Sequence, residues 1–195
     1  MSVSADDIRY MSEALQLARR GRFTTQPNPR VGCVIVKDGV VVGTGYHARA
    51  GGPHAEVVAL KQAGYRAYGA TAYVTLEPCA HHGRTPPCAN ELVIAGLKRV
   101  VMATLDANPL VAGKGRQILE DAGIETTCGV LEDDARTRNA CYLRRINGGL
   151  PWTRVKLASS LDGRTAMASG ESKWITGPDA RRDVQQWRAM SSAVI

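Results

Sequence analysis

The residues best suited to chemistry are His54, Glu56, Cys79 and Cys88, carried by PHAE at 53–56 and EPCAHHGRTPPC at 77–88. One imidazole and two thiolates form the ligand set that suits Zn²⁺. Three protein ligands leave the fourth tetrahedral position to water. Glu56 stands two residues beyond His54, about 200° away in azimuth on a helix, which sets it apart from the ligands. In a first helical turn its carboxylate can still reach a water on the metal. Zinc lowers the pKa of such a water from about 15.7 to 7. A carboxyl group beside it can take the proton and pass it to a leaving amine. The expected site is one Zn²⁺ per chain on His54, Cys79 and Cys88, with Glu56 as the catalytic proton carrier. A structural zinc site with His81 or His82 as fourth ligand is the competing arrangement, and it leaves Glu56 without a task. Cys33, Cys128 and Cys141 lack such partners and read as packing residues.

The elements that must position these groups follow from pattern. Ser4 and Asp7 form a capping box for a helix with Ile8, Met11, Leu15 and Ala18 on one face, stopped by Gly21. VGCVIV and VVVGTGY flank Lys37-Asp38-Gly39, an Asp-Gly hairpin. Next come a helix in HAEVVALKQAG, a strand in ATAYVTL, a helix in CANELVIAG and a strand in KRVVMAT. A helix in GRQILEDAG, a strand in IETTC and a helix over 131–143 complete the set. Strands alternating with helices after a hairpin imply an α/β fold with a mixed, largely parallel sheet covered on both faces. In such a sheet, strand ends and the following helix starts meet at one edge. Cys79 follows a strand, while His54-Glu56 and Cys88 open helices, the latter after Pro86-Pro87.

Ile146-Asn147-Gly148-Gly149-Leu150-Pro151 reads as a linker, so the expected domains are 1–146 and 147–195. The second holds a strand in TRVKLASSL, a turn at Asp162-Gly163, a helix in DARRDVQQWRAM and a strand in SSAVI. One strand, one helix and the beginning of a second strand cannot close a core alone.

No apolar run approaches the ~20 residues that span a bilayer, and the N-terminus carries acids where a signal peptide is basic. The reading is therefore cytoplasmic, without a membrane partner. In that compartment five cysteines suggest metal or catalysis before disulfides. The net charge of +7 is spread along the chain, and aromatics make up only 5%. A small anionic substrate fits that balance better than nucleic acid.

His-x-Glu followed by Pro-Cys and a second Cys is the signature of zinc deaminases, in which the cysteines are normally two residues apart. Here eight residues separate them. With PNPRVGCVIV at 27–36, GYH at 45–47, DANPLVAGKG at 106–115 and KLASSLDGRTAMASGESKWITG at 156–177, the chain resembles the bifunctional riboflavin-biosynthesis deaminase/reductase family over essentially its whole length. The resemblance implies a cytidine-deaminase-like three-layer α/β/α domain, followed by the start of a dihydrofolate-reductase-like α/β domain. It implies hydrolysis of 2,5-diamino-6-(5-phosphoribosylamino)pyrimidin-4-one to the corresponding uracil, with ammonia leaving. It also implies that Asn28, His47, Asp106 and Asn108 contact this small phosphorylated pyrimidine, and that Arg84 meets its phosphate.

In the second domain the resemblance places NADPH near Ala158 and Trp174, and the reductase substrate near Ser172 and Arg188. Relatives often carry glycine where Ala158 stands. A homo-oligomer is left open. The last strand only begins at SSAVI, so the 195-residue chain is expected to deaminate without reducing, and a longer chain to do both. The rival enzyme is a tRNA or nucleotide deaminase, opposed by the long loop and the segment after the linker. A zinc-stabilised binding module is the non-enzymatic rival, opposed by His-x-Glu beside three ligands.

Overall fold

Strands β1 (Gly32–Lys37), β2 (Val40–Tyr46), β3 (Thr71–Val74), β4 (Arg99–Met102) and β5 (Glu125–Cys128) form one sheet in the order β2-β1-β3-β4-β5. The computed structural model describes residues 3–81, 86–108 and 112–195. These divide into two compact units, Met1–Pro151 and Trp152–Ile195.

Asp38 and Gly39, both at positive φ, turn β1 back on β2. The connection from β2 through α2 (Ala55–Ala63) then lays β3 on the free edge of β1. That crossover makes β3 run with β2, and therefore against β1. The pairings β3–β4 and β4–β5 are parallel, so the sheet is mixed, with β1 alone running against the other four strands.

Alternating strand residues feed two cores. With α2, α3 (Cys88–Ile94) and α4 (Lys114–Asp121), one core buries Ile35, Ala59, Val74, Leu92, Val100, Met102 and Leu119. On the opposite face, with α1 (Ala5–Ala18) and α5 (Glu132–Arg138), Tyr10, Met11, Leu15, Val34, Tyr73, Val101 and Ala135 are buried. Each large apolar side chain sealed this way stabilises the fold by about 2 kcal/mol. Gly45 lets α2 lie directly on β2, because a Cβ there would stand 2.1 Å from the Ala55 carbonyl oxygen.

The capping box at Ser4 forms as expected. The same Asp7 carboxylate also accepts from Arg99 Nη1 at 2.8 Å, Arg99 Nη2 at 3.1 Å and Tyr73 Oη at 3.2 Å. Asp7 is thereby drawn inward with Tyr10, and Ile8, expected on the buried face, is half exposed. The helix expected over 131–143 is two helices, α5 and α6 (Ala140–Ile146), broken at Asn139. There the Asn139 side chain accepts from the Arg30 N–H at 2.8 Å and donates to the Arg30 carbonyl at 3.0 Å. Such side-chain competition interrupts helices. Cys33 is a core residue and Cys128 packs against the core, but Cys141 is exposed.

The second unit holds α7 (Pro178–Ala189), with no buried residue in it. The strands expected in 153–161 and 191–195 do not form, because neither segment has a ladder partner among the described residues. Local contacts organise this unit: the turn at Gly163, Arg154 over Trp187 at 4.0 Å, and Arg181 over Trp174 at 4.4 Å.

Candidate active site

His54 is the N-cap of α2 but makes no capping bond with its side chain, so the imidazole turns toward α3. Cys88 opens α3 behind Pro87, and its N–H donates to Cys79 Sγ at 3.3 Å. His54 Nδ1 lies 3.1 Å from Cys88 Sγ and 3.6 Å from Cys79 Sγ. The three ligand atoms all fall within 4.8 Å of one another. A tetrahedral ion with Zn–S of about 2.3 Å and Zn–N of 2.0 Å would separate nitrogen and sulfur by about 3.5 Å, so this donor set fits zinc.

Electrostatics favour the anionic form of one of the two sulfurs, that of Cys79. Hydrogen bonds from Cys88 and from His54 bring the Cys79 thiol down to about 4. The hydrogen bond with Cys79 and burial push Cys88 up. His54 is raised, chiefly by its hydrogen bond to Cys79. Glu56, in the first turn of α2 and 3% exposed, is pushed up to about 7 by burial. At that value one carboxyl group can both accept and donate a proton near neutral pH.

Next to this cluster lies His47, buried, its ring 5.5 Å from that of His54 and edge-on to it. Its Nδ1 is 3.0 Å from the Pro53 carbonyl oxygen, which can only accept, so Nδ1 carries the proton. Burial lowers its pKa and keeps the ring neutral. Nε2 is then an acceptor for Asn28 Nδ2 at 3.1 Å, which turns the Asn28 carbonyl oxygen away from His47. The loop bearing Asn28 is clasped by α6, where Arg145 Nη2 donates to the Pro27 carbonyl at 2.8 Å, and by Asn139 at Arg30.

Asp106 accepts from the Asn108 N–H at 2.9 Å and from Tyr142 Oη at 3.1 Å. Burial raises its pKa. Its own N–H donates to Glu77 Oε2 at 3.1 Å.

The sequence-derived ligands His54, Cys79 and Cys88 thus come together, with Glu56 beside them, while His81 is exposed and outside the cluster. His82 and Arg84 lie outside the described residues. In the second unit Ser172 and Trp174 line one hollow with Arg164 and Lys173, whereas Ala158 and Arg188 are not among its walls. Glu77, Asn139 and Tyr142 were not singled out from sequence. Glu77 carried a signal, being next to Pro78-Cys79; Tyr142 carried none, since its partner is 36 residues away.

Residues 4–104 match the family described as the cytidine and deoxycytidylate deaminase zinc-binding region, and residues 151–195 match the RibD C-terminal domain. The chain therefore belongs to the family of the cytidine and deoxycytidylate deaminase zinc-binding region. Within that family, it is 60% identical to riboflavin biosynthesis protein RibD of Haemophilus influenzae, over 100% of this chain and 52% of that protein. Among solved structures, RibD of Acinetobacter baumannii is similar at 62% identity and a TM-score of 0.89, covering 95% of this chain and 52% of that one. So is a diaminohydroxyphosphoribosylaminopyrimidine deaminase/5-amino-6-(5-phosphoribosylamino)uracil reductase of Thermotoga maritima. That match has 40% identity, a TM-score of 0.88, and covers 93% of this chain and 52% of the other. The chain spans about half the length of the curated relatives it matches.

Proposed function

We propose that this chain hydrolytically deaminates 2,5-diamino-6-(5-phosphoribosylamino)pyrimidin-4-one to 5-amino-6-(5-phosphoribosylamino)uracil, a step of riboflavin biosynthesis. The single observation that carries this reading is the convergence of His54, Cys79 and Cys88 within 4.8 Å, with buried Glu56 two residues from His54. Zinc held by those three residues would bring a water's pKa to roughly 7 and so furnish the nucleophile. Glu56 accepts the water's proton and returns it to the departing amine. Asn28 reads the pyrimidine edge, held in one orientation by neutral His47. Asp106 and Asn108 contact ring amino groups and ribose hydroxyls, and Arg84 takes the phosphate.

The domain division in this reading is 1–146 for the deaminase and 147–195 for the beginning of a dihydrofolate-reductase-like, NADPH-dependent domain. The match of 151–195 to the RibD C-terminal domain supports the latter. Ala158 and Trp174 would serve NADPH there, and Ser172 and Arg188 the reductase substrate, in a protein that holds the whole domain. The partners are small molecules. The working compartment is the cytoplasm, where the five free cysteines stay reduced. No helix among the described residues is long and apolar enough to cross a membrane.

The deciding experiment measures ammonia release from the phosphorylated diaminopyrimidine, cytidine, guanine and tRNA, with metal analysis on the same samples. Turnover of the first alone is expected. Preference for tRNA or cytidine would replace the substrate assignment, and a zinc-loaded protein inert on all four would end the enzymatic reading.

A further inference from the structure

Glu77 precedes Cys79 by two residues and is 3% exposed. Its carboxylate accepts three backbone N–H groups: Asp106 on Oε2 at 3.1 Å, Gly113 on Oε2 at 3.0 Å and Arg116 on Oε1 at 3.0 Å. Its own N–H donates to the Thr104 carbonyl at 3.0 Å. Gly113 is the N-cap of α4 and Arg116 its third residue, and this helix has no capping side chain of its own. Glu77 therefore caps α4 from a distant part of the chain, satisfying N–H groups that the helix leaves orphaned and placing negative charge at the positive end.

The same carboxylate holds Asp106, so one side chain ties both Asp106 and Gly113. Gly115 completes the attachment: a Cβ there would stand 1.9 Å from the Pro78 carbonyl oxygen, so α4 seats directly on the segment leading to Cys79. Hydrogen bonds to a carboxylate are roughly twice as strong as neutral ones, which suits an anchor that must hold Asp106 and α4 in place.

We infer that Glu77 is a positioning residue for deamination, setting the loop that carries Asp106 and Asn108 against the loop that carries Cys79. The inference rests on the reading of Asp106 and Asn108 as substrate contacts. One anchor then fixes the distance between the groups that grip the substrate and the centre where it reacts. Glu77 itself touches no reacting atom, so its loss acts on substrate binding while proton transfer through Glu56 continues.

Glu77→Gln tests this, since an amide keeps one acceptor oxygen and turns an N–H donor toward a backbone N–H. In the 195-residue protein the variant should keep stoichiometric zinc. KM should rise about tenfold, with kcat within about threefold of the parent, the pattern of lost uniform binding. Hydrogen exchange at Asp106, Gly113 and Arg116 should accelerate at least about tenfold while that of α3 stays unchanged. Unchanged KM beside an active parent overturns the inference, as does a fall confined to kcat. A parent that releases no ammonia removes the functional reading instead, and the exchange data then judge the anchor alone. Should the variant not fold, the parent still decides: Asp106 and Gly113 lie outside helices and strands, so exchange there as fast as in exposed loops overturns the anchor, and slow exchange upholds it.

Discussion

At the scale of single residues, environment assigns roles that residue type alone leaves open. Glu56 is pushed up to about 7 by burial, while the carboxylate of Asp7, buried as deeply, sits below its usual range because Arg99 and Ser4 outweigh that burial. If Glu56 carries the proton as proposed, Glu56→Gln should keep stoichiometric zinc and lose deamination by about 10²–10⁴-fold. Ammonia release and metal analysis check this, and near-normal turnover in zinc-loaded protein would remove Glu56 from the mechanism. Tyr142 orients the Asp106 carboxylate with its hydroxyl. Tyr142→Phe deletes a hydrogen bond to a charged group and should raise KM roughly tenfold with little change in stability or zinc content. Steady-state kinetics beside a melting curve separate that outcome from a packing defect, which would lower the melting temperature first.

Elements are joined by a few polar contacts that complement the two apolar cores. Asp7 docks α1 on β3 and β4, and Arg99 continues the chain of charge to Glu125 on β5 at 3.1 Å. Asp7→Asn leaves Arg99 short of its partner in a site only 1% exposed at the carboxylate, and should cost about 3 kcal/mol. The native pKa of Asp7 is depressed, so its contribution is present above the ordinary carboxylate value and lost as pH falls through the lower native value. Urea midpoints of parent and variant should therefore differ at pH 7 and converge in strong acid. A gap independent of pH would mean the loss is steric. Helix α6 does the corresponding work for the site, holding Pro27 through Arg145 and Asp106 through Tyr142.

For the whole molecule, the two units differ in how they are held. Unit Met1–Pro151 contains both cores and the metal-ligand cluster, whereas no residue of 152–195 is fully buried. Backbone that lacks buried apolar contacts opens locally at low cost. Limited trypsin digestion should therefore cut after Arg154, Lys156 and Arg164 before any site in the first unit, leaving a resistant fragment that retains zinc. Chelation should then expose that fragment, because ligand binding stabilises the folded state by mass action. Mass spectrometry of the time course decides it; first cuts within α2 or α3 would contradict the division.

Sequence alone determined what depends on residue type and short spacing. The capping box at Ser4, the Asp38-Gly39 hairpin and the strand-and-helix order from α1 to β5 are local signals, and the grouping of His54-x-Glu56 with Cys79 and Cys88 was legible from ligand chemistry. Each acts over a few residues or through a ligand chemistry with few alternatives. Tertiary structure decided what rests on contacts between distant segments. It set β3 against the outer edge of β1, split 131–143 at Asn139 to hold Arg30, and turned Asp7 inward in place of Ile8. Glu77 and Tyr142 gain their tasks only because the fold brings Asp106 to them across 29 and 36 residues, and no periodicity encodes such a meeting. The extended segments of 152–195 fall on the same side of that boundary, since a strand exists only where a neighbour completes its hydrogen bonds.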